Sequence, residues 1–190
     1  PQDRPSGGPW GAIRGIAFDP RDANVLYSAA LDGTVRAWNL KERREIRRFT
    51  PAQSMLALFR AGSSTGDGIF GFAVRPRQQG ETTLELAIGN QRGEIVRLDA
   101  DQLRRIKRVK GHAALVTALT YSPDGSQLAS ASLDGQLKVW NRELDAIKTL
   151  AHPEKNGNGN DPELLDVVFS PDGRYLAASG DAVTIPIWET

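Results

Sequence analysis

The chain of 190 residues contains no cysteine, no long apolar run and only two histidines. Without cysteine, neither disulfide bonds nor thiolate chemistry is available to the protein. No apolar run approaches the roughly 18 residues that a membrane-spanning helix needs, so we predict no membrane segment. The formal net charge is only +1, so the chain as a whole has no excess of positive charge that would favour nucleic acid.

The remaining composition is that of an ordinary globular protein. Hydrophobic residues make up 39% of the chain and charged residues 25%, which is too apolar for a wholly disordered protein. The length suits one domain or two small ones. No signal peptide is visible, and because the sequence begins at Pro1 rather than Met we expect a segment upstream. The lack of cysteine fits a reducing compartment, and we therefore predict a cytoplasmic protein.

The most informative stretch is residues 111–141, GHAALVTALTYSPDGSQLASASLDGQLKVWN. It contains three short runs of alternating apolar residues, separated by the turns Ser122-Pro123-Asp124-Gly125 and Asp134-Gly135. Proline presets φ for the first turn and glycine supplies a positive φ, so the chain reverses at both points. The pattern predicts three antiparallel strands joined by short turns.

The same pattern recurs in the rest of the chain at intervals of about 40 to 60 residues. The third run of the four units ends at Trp38, Leu98, Trp140 and Trp188, respectively. An Ala/Ser-rich run precedes each of them, and a more charged fourth run follows the first three, at 45–50, 103–110 and 145–150. No helical period of 3.6 residues appears anywhere. The sequence therefore predicts an all-β repeat protein with four strands per unit.

These motifs resemble those of the WD-repeat β-propeller family, and the resemblance covers the chain from about Gly8. The third unit carries it best, with Gly111-His112, the turn at 122–125, LASAS at 128–132 and Asp134 before Trp140. The resemblance implies a single domain, 1–190, that is a propeller or part of one. Its four-stranded antiparallel blades would lie at about 8–50, 68–110, 111–150 and 163–190, the last without its outer strand. Residues 51–67 would form an insertion and residues 151–162 a loop.

The resemblance also implies a hydrogen-bonded set in each blade, which we call the blade lock. In the third unit its members would be His112, Ser130, Asp134 and Trp140. The first unit keeps Ser28, Asp32 and Trp38 but has Pro9 in place of the histidine. The second unit has Ile88, Arg92 and Leu98, and the fourth has Asn160, Ala178, Ala182 and Trp188. By the family's example this set is structural and not catalytic. Pro186 is awkward inside the third strand of the fourth unit, because proline cannot donate a ladder hydrogen bond.

Completion of the ring has three alternatives. The fourth unit ends at Thr190, directly after its third strand, and both terminal blades would expose a sheet face. In the first, the chain is part of a larger propeller. In the second, two copies form a homodimer with an eight-bladed ring, and in the third, the four blades close into a ring by themselves. We favour the first alternative.

Catalytic, metal and cofactor motifs are weak. Gly62-Ser63-Ser64-Thr65-Gly66 matches the G-x-S-x-G pattern of hydrolases, but the segment after it resembles a strand rather than the required helix, which favours a plain loop. His112 and His152 lie far apart without cysteine, and NGNGNDP (156–162) lacks the alternating aspartates of a calcium loop. We therefore predict no catalytic residues, no metal, no cofactor and no enzymatic activity.

Two basic runs surround the predicted outer strands of the first and second units. The cations are Lys41, Arg43, Arg44, Arg47, Arg48, Arg104, Arg105, Lys107, Arg108 and Lys110. Lysine and arginine on an exposed edge strand also prevent association between sheets, and no aromatic residues are interleaved for base stacking. The sequence therefore argues against nucleic acid as the partner.

The leading hypothesis is a non-catalytic scaffold that binds another protein or peptide on the loops between its blades. The residues predicted for contact are Trp10, Leu31, Arg60, Gln91, Arg92, Leu133 and His152. Trp10, in a Gly/Pro-rich segment, would be either an anchor for the partner or a cover for an open end. The alternative function is a sensor or regulatory arm of a larger multidomain signalling enzyme whose catalytic domain lies outside this chain. A third hypothesis, a hydrolase that uses Ser64, predicts labelling by a serine probe.

Overall fold

The computed structural model describes residues 12–49, 68–78 and 80–190. All regular structure in these ranges is β, in fifteen strands that form four antiparallel sheets, and none of it is helical. Each sheet is one blade, and its strands pair in chain order. The all-β propeller architecture predicted from the sequence is therefore confirmed.

The strands of each blade follow one another in the sequence. Blade 1 contains β1 (Ile13–Asp19), β2 (Asp22–Ala30), β3 (Val35–Asn39) and β4 (Arg44–Phe49). Blade 2 contains β5 (Ile69–Val74), β6 (Glu85–Asn90), β7 (Glu94–Asp99) and β8 (Arg104–Lys110). Blade 3 contains β9 (Val116–Tyr121), β10 (Leu128–Ser132), β11 (Gln136–Trp140) and β12 (Ala146–Ala151). Blade 4 contains β13 (Leu164–Phe169), β14 (Tyr175–Gly180) and β15 (Ile187–Glu189).

The blades pack face to face, in the order β1, β5, β9 and β13 along their first strands. Three apolar clusters fill the spaces between them: one joins blades 1 and 2, one blades 2 and 3, and one blades 3 and 4. Ala and other small residues of the second strands form much of this core, and β10 is buried along its whole length. The second strands of blades 2 and 3 are therefore the buried centres of their blades, whereas β14 of blade 4 is only partly buried.

The turns between strands follow the predicted chemistry. Gly33, Gly93 and Gly135 end the turns between the second and third strands with φ near +77°, at +80°, +75° and +77° respectively. The turns before β4, β8 and β12 instead place Arg43, Leu103 and Leu144 in the left-handed region, although none of these residues is glycine. Since antiparallel strands alternate in direction, these two kinds of turn lie at opposite ends of each blade.

Pro186 does not interrupt a strand. The third strand of blade 4 begins one residue later, at Ile187, and the Pro186 carbonyl accepts a hydrogen bond from the Ala178 N–H at 3.3 Å. The missing N–H of Pro186 therefore does not interrupt the strand pairing, because only its carbonyl oxygen takes part.

Candidate functional site

Four polar side chains of blade 3 form a continuous hydrogen-bonded set. The Nε2 atom of His112 lies 2.7 Å from the Ser130 Oγ, and the indole N–H of Trp140 donates to the same oxygen at 2.8 Å. On its other side the His112 ring places Nδ1 3.1 Å from Asp134 Oδ2. Three of the four residues are almost fully buried, with exposed fractions of 3% for His112, 0% for Ser130 and 4% for Trp140. We call this set the blade lock.

The direction of each hydrogen bond follows from the donors available. The indole of Trp140 can only donate, so the Ser130 oxygen accepts a hydrogen bond from it. The hydroxyl proton of Ser130 can then be donated to Nε2 of His112. His112 then carries its proton on Nδ1 and donates it to Asp134. Burial lowers the pKa of His112, although Asp134 opposes this effect, so the neutral ring required by the chain of donors is the favoured form.

The carboxylate of Asp134 is held by its own turn. It accepts the backbone N–H of Ala113 at 2.8 Å and that of Gln136 at 3.0 Å, in addition to the His112 ring. Burial alone would raise the pKa of Asp134, but these N–H groups and His112 hold it below its usual value. The lock therefore joins the loop before β9 to the turn between β10 and β11.

The close packing around the lock requires a glycine beside the histidine. A methyl group added to Gly111 would lie 2.8 Å from the outer ring carbons of Trp140. His112 and Trp140 also meet edge to face, with ring centroids 6.3 Å apart. The Gly-His pair read from the sequence thus supplies both the space for the indole and the hydrogen-bonding ring.

Blade 1 contains a reduced version of the same set. Trp38 donates its indole N–H to the Ser28 Oγ at 2.9 Å, as Trp140 does in blade 3. Asp32 binds Thr34 and pairs with Arg36 at 3.3 Å instead of a histidine. Pro9, the residue in the position of the histidine, lies outside the described residues. The indole and hydroxyl are therefore retained while the aspartate serves its own turn.

Blade 2 replaces the lock by a different device that the sequence reasoning missed. Asn90 accepts the backbone N–H groups of Arg92 and Glu94, both at 3.0 Å, and donates to the Glu94 carboxylate at 2.9 Å. Its signal was an asparagine at the end of an apolar run, three residues before Gly93, which is typical of a turn that the side chain closes. The lock positions Ile88 and Leu98 of this blade are apolar and buried.

The predicted contact residues fall into three groups. Leu31, Gln91, Arg92 and Leu133 lie in the turns between the second and third strands of blades 1, 2 and 3, at the end of the blades that carries His112. Leu31 and Leu133 are half-buried, whereas Gln91 and Arg92 are exposed. We call these four residues the turn set. Trp10 and Arg60 lie outside the described residues.

His152 differs from the expectation of an accessible loop residue. Its exposed fraction is only 6%. Nδ1 accepts a hydrogen bond from the Glu154 N–H at 3.0 Å, and Nε2 lies 3.4 Å from the Thr184 carbonyl oxygen. Thr184 in turn donates to the Glu154 carboxylate at 2.7 Å. His152 thus ties the loop at 151–162 to blade 4, and its buried ring is not available for docking in this conformation.

The weaker motifs offer no further site in the described part of the chain. The segment 62–66 with Ser64 lies outside it. Between residues 12 and 190, apart from the two gaps, no group of three or more His, Asp and Glu side chains is arranged to hold a metal ion. The same ranges contain no helix that could cross a membrane.

The basic outer strands are partly neutralised by local partners. Arg44 pairs with Glu42 at 2.6 Å and Arg48 with Glu45 at 2.8 Å on blade 1. On blade 2, Arg108 pairs with Glu94 at 3.6 Å. The positive charge of β4 and β8 is therefore interrupted by carboxylates, which weakens its attraction for a polyanion.

Two polar contacts between blades, at the end opposite His112, could not be read from the sequence. Arg21 of blade 1 binds Asp19 at 2.7 Å and reaches across to Asp101 of blade 2 at 2.6 Å. Burial alone would raise the pKa of Asp19, but Arg21 and the Tyr27 hydroxyl, 2.9 Å away, hold it below its usual value. Residues 80 apart in sequence make this contact, and no local pattern indicates it.

Arg75 makes the corresponding contact between blades 2 and 3. Its side chain is only 5% exposed, donates to the Gly125 carbonyl at 2.7 Å and pairs with Glu81 at 2.8 Å. Arg21 and Arg75 each connect two neighbouring blades, so we assign both a structural role in holding the blades together.

A protein-family model described as "WD domain, G-beta repeat" matches residues 7–39, 103–141 and 148–183, which together are more than half of the chain. The matched segments include the second and third strands of blade 1 and blade 3, with both tryptophan–serine pairs. They leave out β5 to β7, the part of blade 2 in which Asn90 replaces the lock.

Curated relatives include one protein named for ribosome biogenesis and one named for periodic tryptophans. The chain is 32% identical over 186 residues to "Ribosome biogenesis protein YTM1" of Chaetomium thermophilum, which covers 90% of this chain and 33% of the relative. It is 27% identical over 171 residues to "Periodic tryptophan protein 2" of Arabidopsis thaliana, which covers 89% of this chain and 16% of the relative.

A further relative is "Protein LST8 homolog" of Drosophila melanogaster, 29% identical over 108 residues, with 56% of this chain and 34% of the relative covered. The chain thus spans a third or less of the length of most of these relatives. The four blades, the tryptophan–serine pairs and the three matched segments together show that the chain belongs to the WD-repeat family of β-propeller proteins.

Proposed function

We propose that the protein is a non-catalytic scaffold that binds another protein or a peptide on the turn set (Leu31, Gln91, Arg92 and Leu133). The observation that carries this proposal is the division between the blade lock and the turns beside it. His112, Ser130 and Asp134 are hydrogen-bonded to one another inside the lock. In the neighbouring turns, the polar side chains of Gln91 and Arg92 are exposed and the two leucines are half-buried. Such a mixture of apolar and polar groups on rigid turns suits protein recognition.

The rigidity of these turns supports the proposal. Asp134 closes its turn with hydrogen bonds to Gln136 and Ala113, and Asn90 closes the equivalent turn of blade 2. Turns held in this way lose little conformational entropy on binding, which favours affinity. Trp10 and Arg60 remain candidate contacts in this proposal, and His152 would contribute through the position it gives to the loop at 151–162.

The comparisons support a partner that is a protein. One relative is named for ribosome biogenesis, and we infer that this chain acts by bringing proteins together without a cofactor or a reaction of its own. The four blades would act as a single domain. A cytoplasmic location is part of the same proposal and is tested by microscopy of the tagged protein.

The test is a double substitution in the turn set. Leu133→Ala with Arg92→Ala should reduce recovery of the proteins captured by the wild type at least about tenfold, since a few residues carry most of the energy of an interface. Ile106→Ala with Arg105→Ala on β8 is the control, which likewise removes one aliphatic side chain and one arginine, and it should retain the wild-type set of captured proteins. Quantitative mass spectrometry of the captured proteins measures both. Unchanged recovery with the turn-set variant would refute this docking face.

The alternative is a sensor or regulatory arm of a larger multidomain signalling enzyme. The observation that favours it is length, because the chain spans only 16% to 34% of the relatives described above. It predicts a catalytic domain in the complete reading frame and a change in its activity when the propeller is deleted. A reading frame that encodes no catalytic domain would exclude this alternative.

A homodimer that completes an eight-bladed ring is a further arrangement within the scaffold proposal. It would bring blade 4 of one copy against blade 1 of the other and predicts a dimeric mass in light scattering. A monomer would exclude it.

A further inference from the structure

A small polar pocket lies between blades 2 and 3, at the end of the blades opposite His112. Glu85 of β6 and Arg97 of β7 line it from blade 2. Tyr121 of β9 and Arg142, directly after β11, line it from blade 3. We call the space between these four side chains the interblade pocket. Its volume is about 220 Å³ including the opening to solvent. Sites that bury a whole small-molecule ligand have roughly 300–1,000 Å³, so the interblade pocket suits a single end group.

Three buried polar atoms of the pocket make no hydrogen bond to the described residues. They are the Tyr121 hydroxyl oxygen, Glu85 Oε2 and Arg97 Nε. The Glu85 and Arg97 atoms lie 3.5 Å apart and form an ion pair without a hydrogen bond. The Glu85 side chain is only 10% exposed. Because buried polar groups are normally satisfied, three such atoms in one pocket indicate a place where a polar ligand group binds.

The surroundings of the pocket consist of one fixed arginine and one at the mouth. The buried guanidinium of Arg75 donates to the Gly125 carbonyl at 2.7 Å and to the two carboxylate oxygens of Glu81 at 2.8 and 3.1 Å. Arg142 is 47% exposed and forms longer ion pairs, at 3.2 Å with Glu81 and at 3.9 Å with Glu85. The wall is therefore held by the protein itself, while the entrance has a half-exposed side chain.

The free hydrogen-bonding capacity of the pocket is mixed. Arg97 Nε can only donate and the Glu85 carboxylate can only accept, whereas a protonated tyrosine hydroxyl can do either. Burial raises the pKa of Tyr121, so its hydroxyl keeps its proton and can donate. A ligand that satisfies all three groups must therefore both accept and donate.

This requirement excludes the two charged end groups. A carboxylate would leave Glu85 Oε2 unpaired and would place a second negative charge beside it. An ammonium or guanidinium group would leave the Arg97 N–H unpaired and would add a positive charge to a site that already contains three arginines. A primary carboxamide meets the requirement, because its oxygen accepts two hydrogen bonds and its nitrogen donates two.

We propose that the interblade pocket binds the side-chain carboxamide of an asparagine or glutamine of a protein partner. The carboxamide oxygen accepts from the Tyr121 hydroxyl and from Arg97 Nε, and the NH2 group donates to Glu85 Oε2. The rest of the partner lies outside the mouth, beside Arg142 and the exposed Ser126. The pocket and the turn set are at opposite ends of the blades, so this binding does not depend on the docking face proposed above.

Blocked single residues test the end group. N-acetyl-glutamine methylamide, N-acetyl-glutamate methylamide and N-acetyl-lysine methylamide carry a carboxamide, a carboxylate and an ammonium group. Titration of each compound is followed by the backbone amide signals of Gly125 and Ser126 in ¹H–¹⁵N NMR spectra. The glutamine compound should bind with a dissociation constant on the order of 10 mM, because a single end group has to displace water. The other two should bind at least about tenfold more weakly.

Two variants test the individual contacts. Tyr121→Phe removes one donor and should weaken binding of the glutamine compound about fivefold. Tyr175→Phe makes the same change at an exposed tyrosine of blade 4 and should keep the wild-type affinity. Glu85→Gln removes the negative charge and supplies an N–H donor, so binding of the glutamate compound should improve about tenfold. The Tyr121→Phe comparison stands by itself if Glu85→Gln does not fold.

Four results would overturn the proposal. The glutamine compound causes no saturable shift of the Gly125 and Ser126 signals, so that solvent alone satisfies the pocket. The glutamate or lysine compound binds as tightly as the glutamine compound, which assigns the pocket to a charged group. Tyr121→Phe keeps the wild-type affinity for the glutamine compound, which places that compound elsewhere. Free glutamine binds at least about tenfold more tightly than its blocked form, which assigns the pocket to a small amide instead of a protein side chain.

Discussion

The Oγ atom of Ser130 lies 2.7 Å from Nε2 of His112 and carries the hydrogen-bonding connection between that ring and Trp140. One hydroxyl thus serves two buried partners, accepting from the indole and donating to the imidazole. In blade 1 the equivalent hydroxyl of Ser28 serves Trp38 alone within the described residues. The two serines occupy the same register but satisfy different numbers of buried groups.

This difference predicts unequal costs for the same substitution. Ser130→Ala should lower the free energy of unfolding by about 1–3 kcal/mol, because it leaves the Trp140 indole N–H and the Nε2 atom of His112 without a partner. Ser28→Ala should cost about 1 kcal/mol or less, because it removes one hydrogen bond and leaves the half-buried indole of Trp38. Urea denaturation of both variants measures the difference. Equal losses would contradict the role of the second partner.

Removal of His112 or Asp134 from the lock should also affect stability. His112→Ala and Asp134→Ala should each cost about 1–3 kcal/mol, the range for a broken buried polar pair. If the lock is structural, both variants should retain the proteins captured by the wild type once they are compared at equal folded concentration. Loss of partners from a folded Asp134→Ala protein would instead assign a binding role to the lock.

The same set should make the protein less stable in weak acid. Burial holds the pKa of His112 below its usual 6.5, so at lower pH the unfolded chain binds a proton that the folded chain does not. Stability should therefore fall as the pH decreases from about 7 towards 5. His112→Gln should reduce this slope, whereas His152→Gln should keep the contribution of His112. Identical slopes for the wild type and His112→Gln would contradict the prediction.

Asp134 should add a second loss at lower pH. Its pKa is held below the usual 3.8 in the folded protein, so its contribution is complete above that value and disappears as the pH falls below it. Denaturation of Asp134→Asn between about pH 5 and 3 tests this, because the amide does not titrate. The variant should lose less stability over this interval than the wild type does.

Contacts that are local in sequence were predictable, and contacts between distant residues were not. The turn at Gly135 and the strands on either side follow from alternation and from the need for a positive φ. The pairing of Arg21 with Asp101 depends on how two blades meet, and nothing in either local sequence specifies it. His152 appeared to belong to a polar loop, but that loop folds back on blade 4 and buries the ring.

Arg21 should contribute to the association of blades 1 and 2. Arg21→Met should lower the free energy of unfolding by about 1–2 kcal/mol, since it keeps most of the side-chain volume but removes the pairs with Asp19 and Asp101. Arg47→Met on the exposed outer strand β4 is the control and should change stability by less than about 0.5 kcal/mol. Hydrogen exchange should become faster in β1 and β2 while β10 and β11 keep their protection. Uniform acceleration throughout the protein would contradict a local effect.

Tyr27 and Tyr121 should respond differently to loss of their hydroxyl groups. The Tyr27 hydroxyl donates to Asp19 at 2.9 Å, whereas the buried Tyr121 hydroxyl has no hydrogen-bond partner among the described residues. Tyr27→Phe should cost about 1.5–3 kcal/mol, as expected for a bond to a charged group. Tyr121→Phe should change stability by less than about 0.5 kcal/mol, because it removes a polar group that already lacks compensation from the protein. Thermal and urea denaturation of the pair measure the difference, and a cost for Tyr121→Phe that equals that of Tyr27→Phe would show that the Tyr121 hydroxyl is satisfied after all.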